Sequence, residues 1–477
     1  MNNRARMGLL VPTGLTTNDT NKALYSELIK LESLHSVIGY ENESLIFPDV
    51  HHTFKFCQLT VTAPGKSRQT LYTYLCRRIP ETKDERRMFV MSAADVQLVN
   101  PNTNTSPIFR TKIDAQLTMK LYKAAPILVQ EADARNPWNV SYSQGLFHSS
   151  SDADLFGKNT KEAMQAAGGT LVGNIFEVDG ETYLPYYEGK MMFQFDHRYG
   201  TFEGATQANL NVGSLPQPSI AQKRDFEYRV LPRYWVRKEN VDNSLGDWNH
   251  GWLIGFRDFT SSIVERTGIF TVLPRVGLSD QFGTIYAQPE QGQAIPALVA
   301  NLNALVLDYV TRQKVGWTHL KKYMLFQLPV LSPSSYHEAD LQFVVNASLE
   351  LTCTSSDLAN YSEEMGGSGK LFEWNPDRRQ RLRAELDGYY AHLYGLTRDE
   401  LRYILDPKDV FGEGFPSETF RVLKEREIKQ YGEYRTQRLV LEAYDEFAKS
   451  DRFRDEMPRR VSAIEATPTT GKARSQS

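Results

Sequence analysis

The chain has 477 residues, of which 41% are hydrophobic, and its 55 lysines and arginines face 58 aspartates and glutamates, for a formal net charge of −3. This length exceeds the roughly 250 to 300 residues at which a single core stops growing, so we expect two or more domains. The composition excludes a disordered chain, and the near-neutral charge excludes a protein that attracts polyanions through its bulk charge. Any nucleic-acid surface must therefore be local.

The cysteines and histidines give no sign of a metal or disulfide site. Cys57, Cys76 and Cys353 lie far apart in sequence, which supports neither a disulfide framework nor a thiolate zinc site. His51 and His52 are adjacent, but no further ligand stands at a suitable spacing, so we expect no metal site. No run approaches the roughly 20 apolar residues that span a bilayer, so we expect a cytoplasmic protein.

Residues 1–95 have the pattern of an α/β unit. The apolar run 7–11 predicts a buried parallel strand, and capping residues at 17–19 precede leucines at helical spacing. Residues 54–61 and 71–76 predict an antiparallel hairpin. A single strand before the first helix is only part of a doubly wound sheet, so we expect the missing half on another polypeptide.

The later residues predict two further regions and a tail. Short strands and loops rich in aromatic residues predict an α+β domain over 96–340, which includes a helix at 295–309. A helical subdomain follows over 341–458, with a long helix at 378–394 and a capping box from Thr397 to Glu400. The tail over 459–477 is rich in Thr, Ser and Gly and is expected to be disordered.

Basic and aromatic side chains are mixed in the segment 184–202. One interpretation is a buried aromatic cluster in which Asp196 pairs with His197 or Arg198. The other is a surface that contacts DNA phosphates and base edges. The same mixture recurs near Arg233 and Arg257, and both interpretations stay open.

No motif predicts a catalytic residue in this chain. Asn136-Pro137-Trp138 lacks the second proline of the Asn-Pro-Pro-aromatic motif of amino-methylating enzymes. A Gly-rich phosphate loop, a Gly-x-Ser-x-Gly elbow and a His-Glu-x-x-His helix are also missing from the sequence. The sequence therefore predicts no catalytic, cofactor-binding or metal-binding residue of its own.

Several segments nevertheless carry a combined resemblance: Gly8-Leu-Leu-Val-Pro-Thr-Gly14, Phe47-Pro-Asp-Val50 with Phe54-Lys-Phe-Cys57, the run 186–198, Arg257-Asp258 with Glu265-Arg-Thr267, and the runs 303–314, 393–397 and 420–428. Together they resemble the C-terminal half of the large adenine-specific DNA methyltransferases, including type IIG restriction-modification enzymes. The likeness covers nearly the whole chain. In that family, the Gly-rich strand that binds S-adenosylmethionine and the Asn-Pro-Pro-Tyr motif precede the segment with which this chain starts, and neither occurs here.

The resemblance implies a partial class I methyltransferase sheet over 1–95, a target-recognition domain over 96–340 and a helical C-terminal subdomain over 341–458. It implies adenine-N6 methylation of double-stranded DNA in a restriction-modification or phage-defence system. Catalysis would need S-adenosylmethionine, whose site is incomplete here, and an N-terminal half or upstream subunit. The alternatives are a non-catalytic DNA-binding specificity subunit and an inactive truncated remnant.

The resemblance also suggests site residues, because such enzymes flip the target base out of the duplex. It places Phe47 where an aromatic ring could stack on the extruded adenine, although a core phenylalanine at a strand end is an equal alternative. The side chains suited to phosphate contact or base reading are Lys190, Gln194, His197, Arg198, Arg233, Trp235, Arg257, Arg266, Arg312, Gln313 and Lys314.

Overall fold

The computed structural model describes residues 5–316, 318–455, 462 and 464. The predicted disorder over 459–477 therefore lies outside the described residues, apart from positions 462 and 464. The chain divides into two compact units: residues 1–133 together with 388–477, and residues 134–387. These units differ from the predicted domains at 1–95, 96–340 and 341–458, because segments distant in sequence fold together in the first unit.

The mixed α/β character predicted from the sequence is confirmed. In the described residues the strands are β1 Arg6–Pro12, β2 Leu34–Glu41, β3 Lys55–Thr62, β4 Gln69–Cys76, β5 Phe89–Ser92, β6 Val140–Gln144, β7 Thr170–Val172, β8 Ile175–Val178, β9 Glu181–Tyr187, β10 Tyr234–Arg237, β11 Trp252–Arg257, β12 Phe270–Pro274, β13 Gly277–Leu278 and β14 Phe282–Ala287.

Within the described part of the chain the helices outnumber the strands, and the last of them ends at Arg454. In the described residues they are α1 Gly14–Thr17, α2 Lys22–Lys30, α3 Ala93–Val99, α4 Lys112–Ala124, α5 Ala153–Phe156, α6 Lys161–Ala166, α7 Gln207–Asn211, α8 Ile220–Arg224, α9 Lys238–Leu245, α10 Ile295–Asn303, α11 Leu305–Lys314, α12 Lys322–Leu325, α13 Glu338–Thr352, α14 Ala359–Ser362, α15 Pro376–Leu393, α16 Arg398–Leu405, α17 Pro407–Phe411, α18 Arg421–Tyr431, α19 Arg435–Phe447 and α20 Asp451–Arg454.

The sheet of the first unit has the order β1-β3-β2-β4-β5. β3 is antiparallel to both β1 and β2, whereas β2 and β4 are parallel. The predicted hairpin of β3 and β4 is therefore wrong, because β2 lies between these two strands. Sequence proximity favoured a direct pairing, but β2 pairs with both strands and separates them.

The first strand also differs from its prediction. β1 is the terminal strand of the sheet among the described residues and is antiparallel to its neighbour, not a buried parallel strand. Met7 is 41% exposed, Leu9 38% and Leu10 56%. The apolar run 7–11 therefore lies at the edge of the sheet and largely at the surface, with only Val11 half-buried.

Buried polar contacts join α4 to the C-terminal helices of the first unit. Tyr403 donates a hydrogen bond to Asp114 Oδ1 at 2.9 Å, and Lys120 Nζ lies 2.6 Å from Glu400 Oε2. The predicted capping box is confirmed, since the Thr397 side chain accepts from the Glu400 amide and the Glu400 carboxylate accepts from the Thr397 amide. These contacts explain why residues beyond 388 fold with the first sheet.

The second unit contains two sheets, with the orders β10-β9-β8-β7 and β12-β11-β14-β6, and β13 pairs with β9. The predicted helix over 295–309 is two helices, α10 and α11, bent by 60°. Ala304 has extended backbone angles at the break, and Asp387 Oδ1 accepts a hydrogen bond from the Leu305 amide at 2.7 Å. An acceptor distant in sequence therefore caps the second helix. No single helix in the described part of the chain is long and apolar enough to cross a bilayer.

Candidate functional site

The candidate site is one edge of the first sheet. β1, β2 and β4 all run in the same direction, opposite to β3, so their carboxyl ends lie at a common edge. We call this the carboxyl edge and define it as residues 12–17, 41–54 and 76–88. In α/β sheets, ligands bind outside the carboxyl ends of the parallel strands. The connections after these strands are therefore the first place to look for a binding site.

Asn42 holds the connection that follows β2. Its side chain is fully buried. The amide Nδ2 donates to the carbonyls of Phe47 at 3.0 Å and Val50 at 2.7 Å, and Oδ1 accepts from the Phe47 amide at 3.0 Å. One side chain thus satisfies three backbone groups in a connection that has no sheet partner, which fixes the position of Phe47.

Phe47 is held with part of its ring in solvent. It is 38% exposed and packs edge-on against Phe56, with ring centroids 4.9 Å apart. Phe56 in turn stacks on Tyr40 at 5.1 Å and is paired with Pro12 at the end of β1. The ring is therefore packed against Phe56 and partly open to solvent. A supported, partly open aromatic ring at this edge could stack on a planar base, and that role stays a prediction.

Cations surround the carboxylate at the end of β2. Glu41 forms ion pairs with Lys55 at 3.3 Å and with Arg77 at 3.1 Å. Burial alone would raise the pKa of Glu41, but the charges of Lys55 and Arg77 outweigh it and hold the pKa below its ordinary value. The sequence did not predict this basic group, because Lys55 and Arg77 belong to separate segments that become neighbours of Glu41 only when β2 pairs with β3 and β4.

Thiols and histidines at the carboxyl edge have no evident catalytic arrangement. Burial raises the pKa of Cys76 to about 11, so its thiol stays protonated at neutral pH. His52 lies 3.3 Å from Glu43, and His51 contacts Thr53 at 2.9 Å. Across the described residues, no group of three or more His, Cys, Asp or Glu side chains could hold a metal ion.

In the second unit, the structure encloses the basic side chains of the segment 184–202. Arg198 is completely buried, and its guanidinium donates to the carbonyls of Lys223, Asp225, Tyr228 and Thr354. His197 is 1% exposed and contacts Asp357 at 3.1 Å. These residues follow the buried-cluster interpretation, but Asp196 pairs with Lys223 at 2.6 Å instead of with a histidine or arginine side chain.

A second buried network surrounds Asp308. Its Oδ1 accepts from the amides of Thr267 and Gly268 at 2.9 and 2.8 Å. Arg266 and Arg312 both lie beside its Oδ2, and Gln194 donates to the Gly268 carbonyl at 2.8 Å. The structure therefore brings three of the predicted DNA-binding residues together, but in the interior and with partners from their own chain.

Arg312 also holds a surface loop. It donates to the carbonyls of Ser262, Val264 and Glu265 at 3.0, 2.9 and 2.6 Å. The loop exposes apolar side chains, with Ile263 73% and Phe259 62% exposed. Arg312 is thus a positioning residue for this loop in the observed conformation.

The remaining predicted DNA-binding residues differ in their exposure. Trp235 is fully buried and donates to the Asn174 carbonyl at 2.7 Å, and Arg257 donates to the Met192 carbonyl beside two aromatic rings. Lys190 lies 3.2 Å from Glu188. Gln313 and Lys314 are half-buried, whereas Arg233 is exposed beside the ring of Tyr234. The enclosed side chains could contact DNA only by leaving these partners.

The solved structures that are similar to this chain include those of two restriction enzymes. The type IIG restriction endonuclease BpuSI has 10% sequence identity and a TM-score of 0.30, and it covers 84% of this chain and 48% of its own. The type IIL restriction-modification enzyme MmeI, solved in complex with DNA, has 11% identity and a TM-score of 0.40, and it covers 83% of this chain and 48% of its own. The chain thus spans about half the length of the solved structures it matches. No protein-family model and no curated protein matches it. At these scores the likeness carries no inference about activity.

Proposed function

We propose that this chain is the C-terminal part of a site-specific DNA adenine-N6 methyltransferase of a restriction-modification or phage-defence system. It would bind and read duplex DNA, and catalysis would need an N-terminal half or a partner subunit that supplies the S-adenosylmethionine site. The observation that carries the proposal is Phe47. Asn42 fixes its backbone at the carboxyl edge, and the residue is 38% exposed. Its position fits a base-stacking role in an enzyme that extrudes its target adenine.

The state of β1 supports the need for a partner. An exposed terminal strand is a template for pairing with another strand, and proteins usually protect such strands with charges or prolines. Here Leu9 and Leu10 point to opposite faces, and they are 38% and 56% exposed. Further strands paired to β1 would continue the sheet, and the helices that accompany such strands would cover its faces. The same surface would then join the two halves of one sheet.

Complementation tests the proposal. The purified chain is mixed with labelled S-adenosylmethionine and duplex DNA, with and without the protein encoded immediately upstream. We expect label on adenine N6 only when both proteins are present. Methyl transfer by this chain alone would contradict the proposed missing half. DNA binding without transfer in any mixture would favour the specificity subunit, and neither activity would favour the inactive remnant.

Two variants test the role of Phe47 in the complemented reaction. Phe47→Ala removes the stacking surface and should lower the rate of methyl transfer by about 10-fold or more, since stacking of one base on an aromatic side chain contributes about 1 to 3 kcal/mol. Phe54→Ala is the matched control, because Phe54 is 58% exposed in the same connection. Equal losses in both variants would show that the proposed stacking is not specific to Phe47.

A further inference from the structure

Arg87 is a buried cation whose guanidinium is left without protein partners at two atoms. It is 9% exposed, and its Nε and Nη1 atoms have no hydrogen-bond partner among the described residues. It lies in the connection between β4 and β5, at the carboxyl edge. A buried charge without a partner destabilises a folded protein strongly, so such a group is retained at a cost in stability unless a ligand offsets it.

A second arginine and a helix N-terminus lie close to Arg87. The Lys112 amide donates to the Arg86 carbonyl at 2.9 Å, which fixes the β4–β5 connection against the start of α4. Arg110 comes two residues before this helix. Burial lowers the pKa of Arg110, Glu41 opposes this effect, and the charge of Arg87 lowers the pKa further. The two guanidinium groups are therefore close enough to repel each other, at the positive end of a 13-residue helix.

The carboxylates around this pair are already engaged by other groups. Glu41 is shared by Lys55 and Arg77, Asp84 pairs with Arg86 at 2.8 Å, and Glu81 pairs with Arg78 at 3.2 Å, although the charges of Asp84 and Glu81 also act on Arg87. Asp114, in the first turn of α4, accepts hydrogen bonds from the hydroxyl groups of Thr111, Tyr403 and Ser417. The side chains of the first unit thus leave an excess of positive charge around Arg87 and Arg110.

We propose that Arg87 and Arg110, together with the first turn of α4, form a binding site for a phosphate group of a nucleic-acid backbone. Guanidinium groups match the oxygen geometry of phosphate, and helix N-termini favour phosphate anions. A tetrahedral phosphate can accept from guanidinium donors on the two connections, and the helix end adds a favourable field although its Lys112 and Asp114 amides already have partners. The site shares the carboxyl edge with Phe47, so one bound nucleotide strand could contact both. The nucleic-acid source rests on the proposed function, but the phosphate chemistry does not.

Thermal unfolding of the full chain in inorganic phosphate tests the site. We expect saturating phosphate to raise the Tm of the wild type by about 5 °C. Arg87→Met should abolish this rise, and without phosphate its Tm should equal or exceed that of the wild type, because a buried charge with two unsatisfied donor atoms is gone. Since phosphate also stabilises proteins generally, the measured quantity is the difference between proteins at the same phosphate concentration.

Two further variants complete the test. Arg78→Gln is the matched control, because Arg78 lies in the same connection, is 74% exposed at its side chain and pairs with Glu81. It should keep the full phosphate response. Arg87→Lys keeps the positive charge but loses the planar set of guanidinium donors, so this variant should fold and bind phosphate about 10-fold more weakly. A lower Tm with an unchanged phosphate response in the Arg87 variants would overturn the proposal.

Duplex DNA distinguishes a nucleic-acid source from free phosphate. If the site holds a backbone phosphate, Arg87→Met should weaken DNA binding about 10-fold and reduce the slope of log affinity against log salt by about 1. Loss of the inorganic-phosphate response with unchanged DNA affinity would overturn the nucleic-acid source. A wild type that responds to phosphate but binds no DNA would refute the proposed function and leave a free-phosphate site.

Discussion

Replacement of Asn42 by Ala is the sharpest test of how the carboxyl edge is held. The substitution removes the three hydrogen bonds to Phe47 and Val50. At about 0.5 to 1.5 kcal/mol each, their sum would be about 1.5 to 4.5 kcal/mol. Phe47 and Val50 are each 38% exposed, so water can reach the released backbone groups once the connection opens. We therefore expect a loss near the lower end, about 2 kcal/mol.

The loss of stability should be confined to the connection after β2, so the assay must report on that connection. Hydrogen exchange at the Phe47 amide reports the free energy of opening, and Asn42→Ala should speed that exchange by roughly 30-fold. Asn21→Ala is the control, because its side chain makes an exposed hydrogen bond to the Gly14 carbonyl at 3.2 Å. If exchange at Phe47 is no faster in Asn42→Ala than in the control, Asn42 does not hold the connection.

Two predictions concern the second unit. Burial raises the pKa of Asp387 to about 6, so the folded state binds a proton that the unfolded chain releases near pH 4. The contribution of Asp387 to the unfolding free energy should therefore fall by about 3 kcal/mol as the pH rises from 4 to 6, and Asp387→Asn, which keeps an acceptor for the Leu305 amide, should remove this contribution to the pH dependence in urea titrations. A pH profile unchanged by the substitution would contradict the assignment. Arg198→Met should lower the unfolding free energy by about 3 to 5 kcal/mol, because it strands four buried carbonyls; weaker DNA binding without loss of stability would instead favour base reading.

Local sequence signals predicted the elements whose causes are local. The box from Thr397 to Glu400 satisfies its own helix terminus, so the start of α16 could be read directly. The long helix predicted at 378–394 corresponds to α15, Pro376–Leu393. These features depend on neighbours within four residues, and no distant contact was needed to decide them.

Strand pairing could not be read in this way, because it depends on contacts between distant segments. The apolar run of β1 has the composition of a buried strand, yet its place at the end of the sheet leaves Leu10 56% exposed. β2 lies between β3 and β4 although these two follow each other along the chain. Composition shows which side chains a strand could bury, but the position of the strand in the sheet decides which of them are buried.

Basic residues pose the same difficulty in a stronger form. An arginine suits phosphate, base edges and backbone carbonyls equally well, so the sequence could nominate Arg198 but could not tell which acceptor it meets. Arg87 and Arg110 are the opposite case, because no sequence pattern marks them as binding residues. They become a candidate site only because the Lys112 amide joins the two connections.

The inward position of these cations fits a chain whose net charge is only −3. Arg312 and Arg198 each bind several backbone carbonyls and thereby fix the loops that carry them. A rigid loop loses less conformational entropy on binding, and a fixed surface discriminates between shapes better than a mobile one. A buried arginine can therefore contribute to recognition without touching the ligand. Under the proposed function, DNA contact in the second unit would depend on the loops that the arginines hold in place, such as the loop of Ile263 at 73% exposure, and direct phosphate contacts would lie at the carboxyl edge of the first unit.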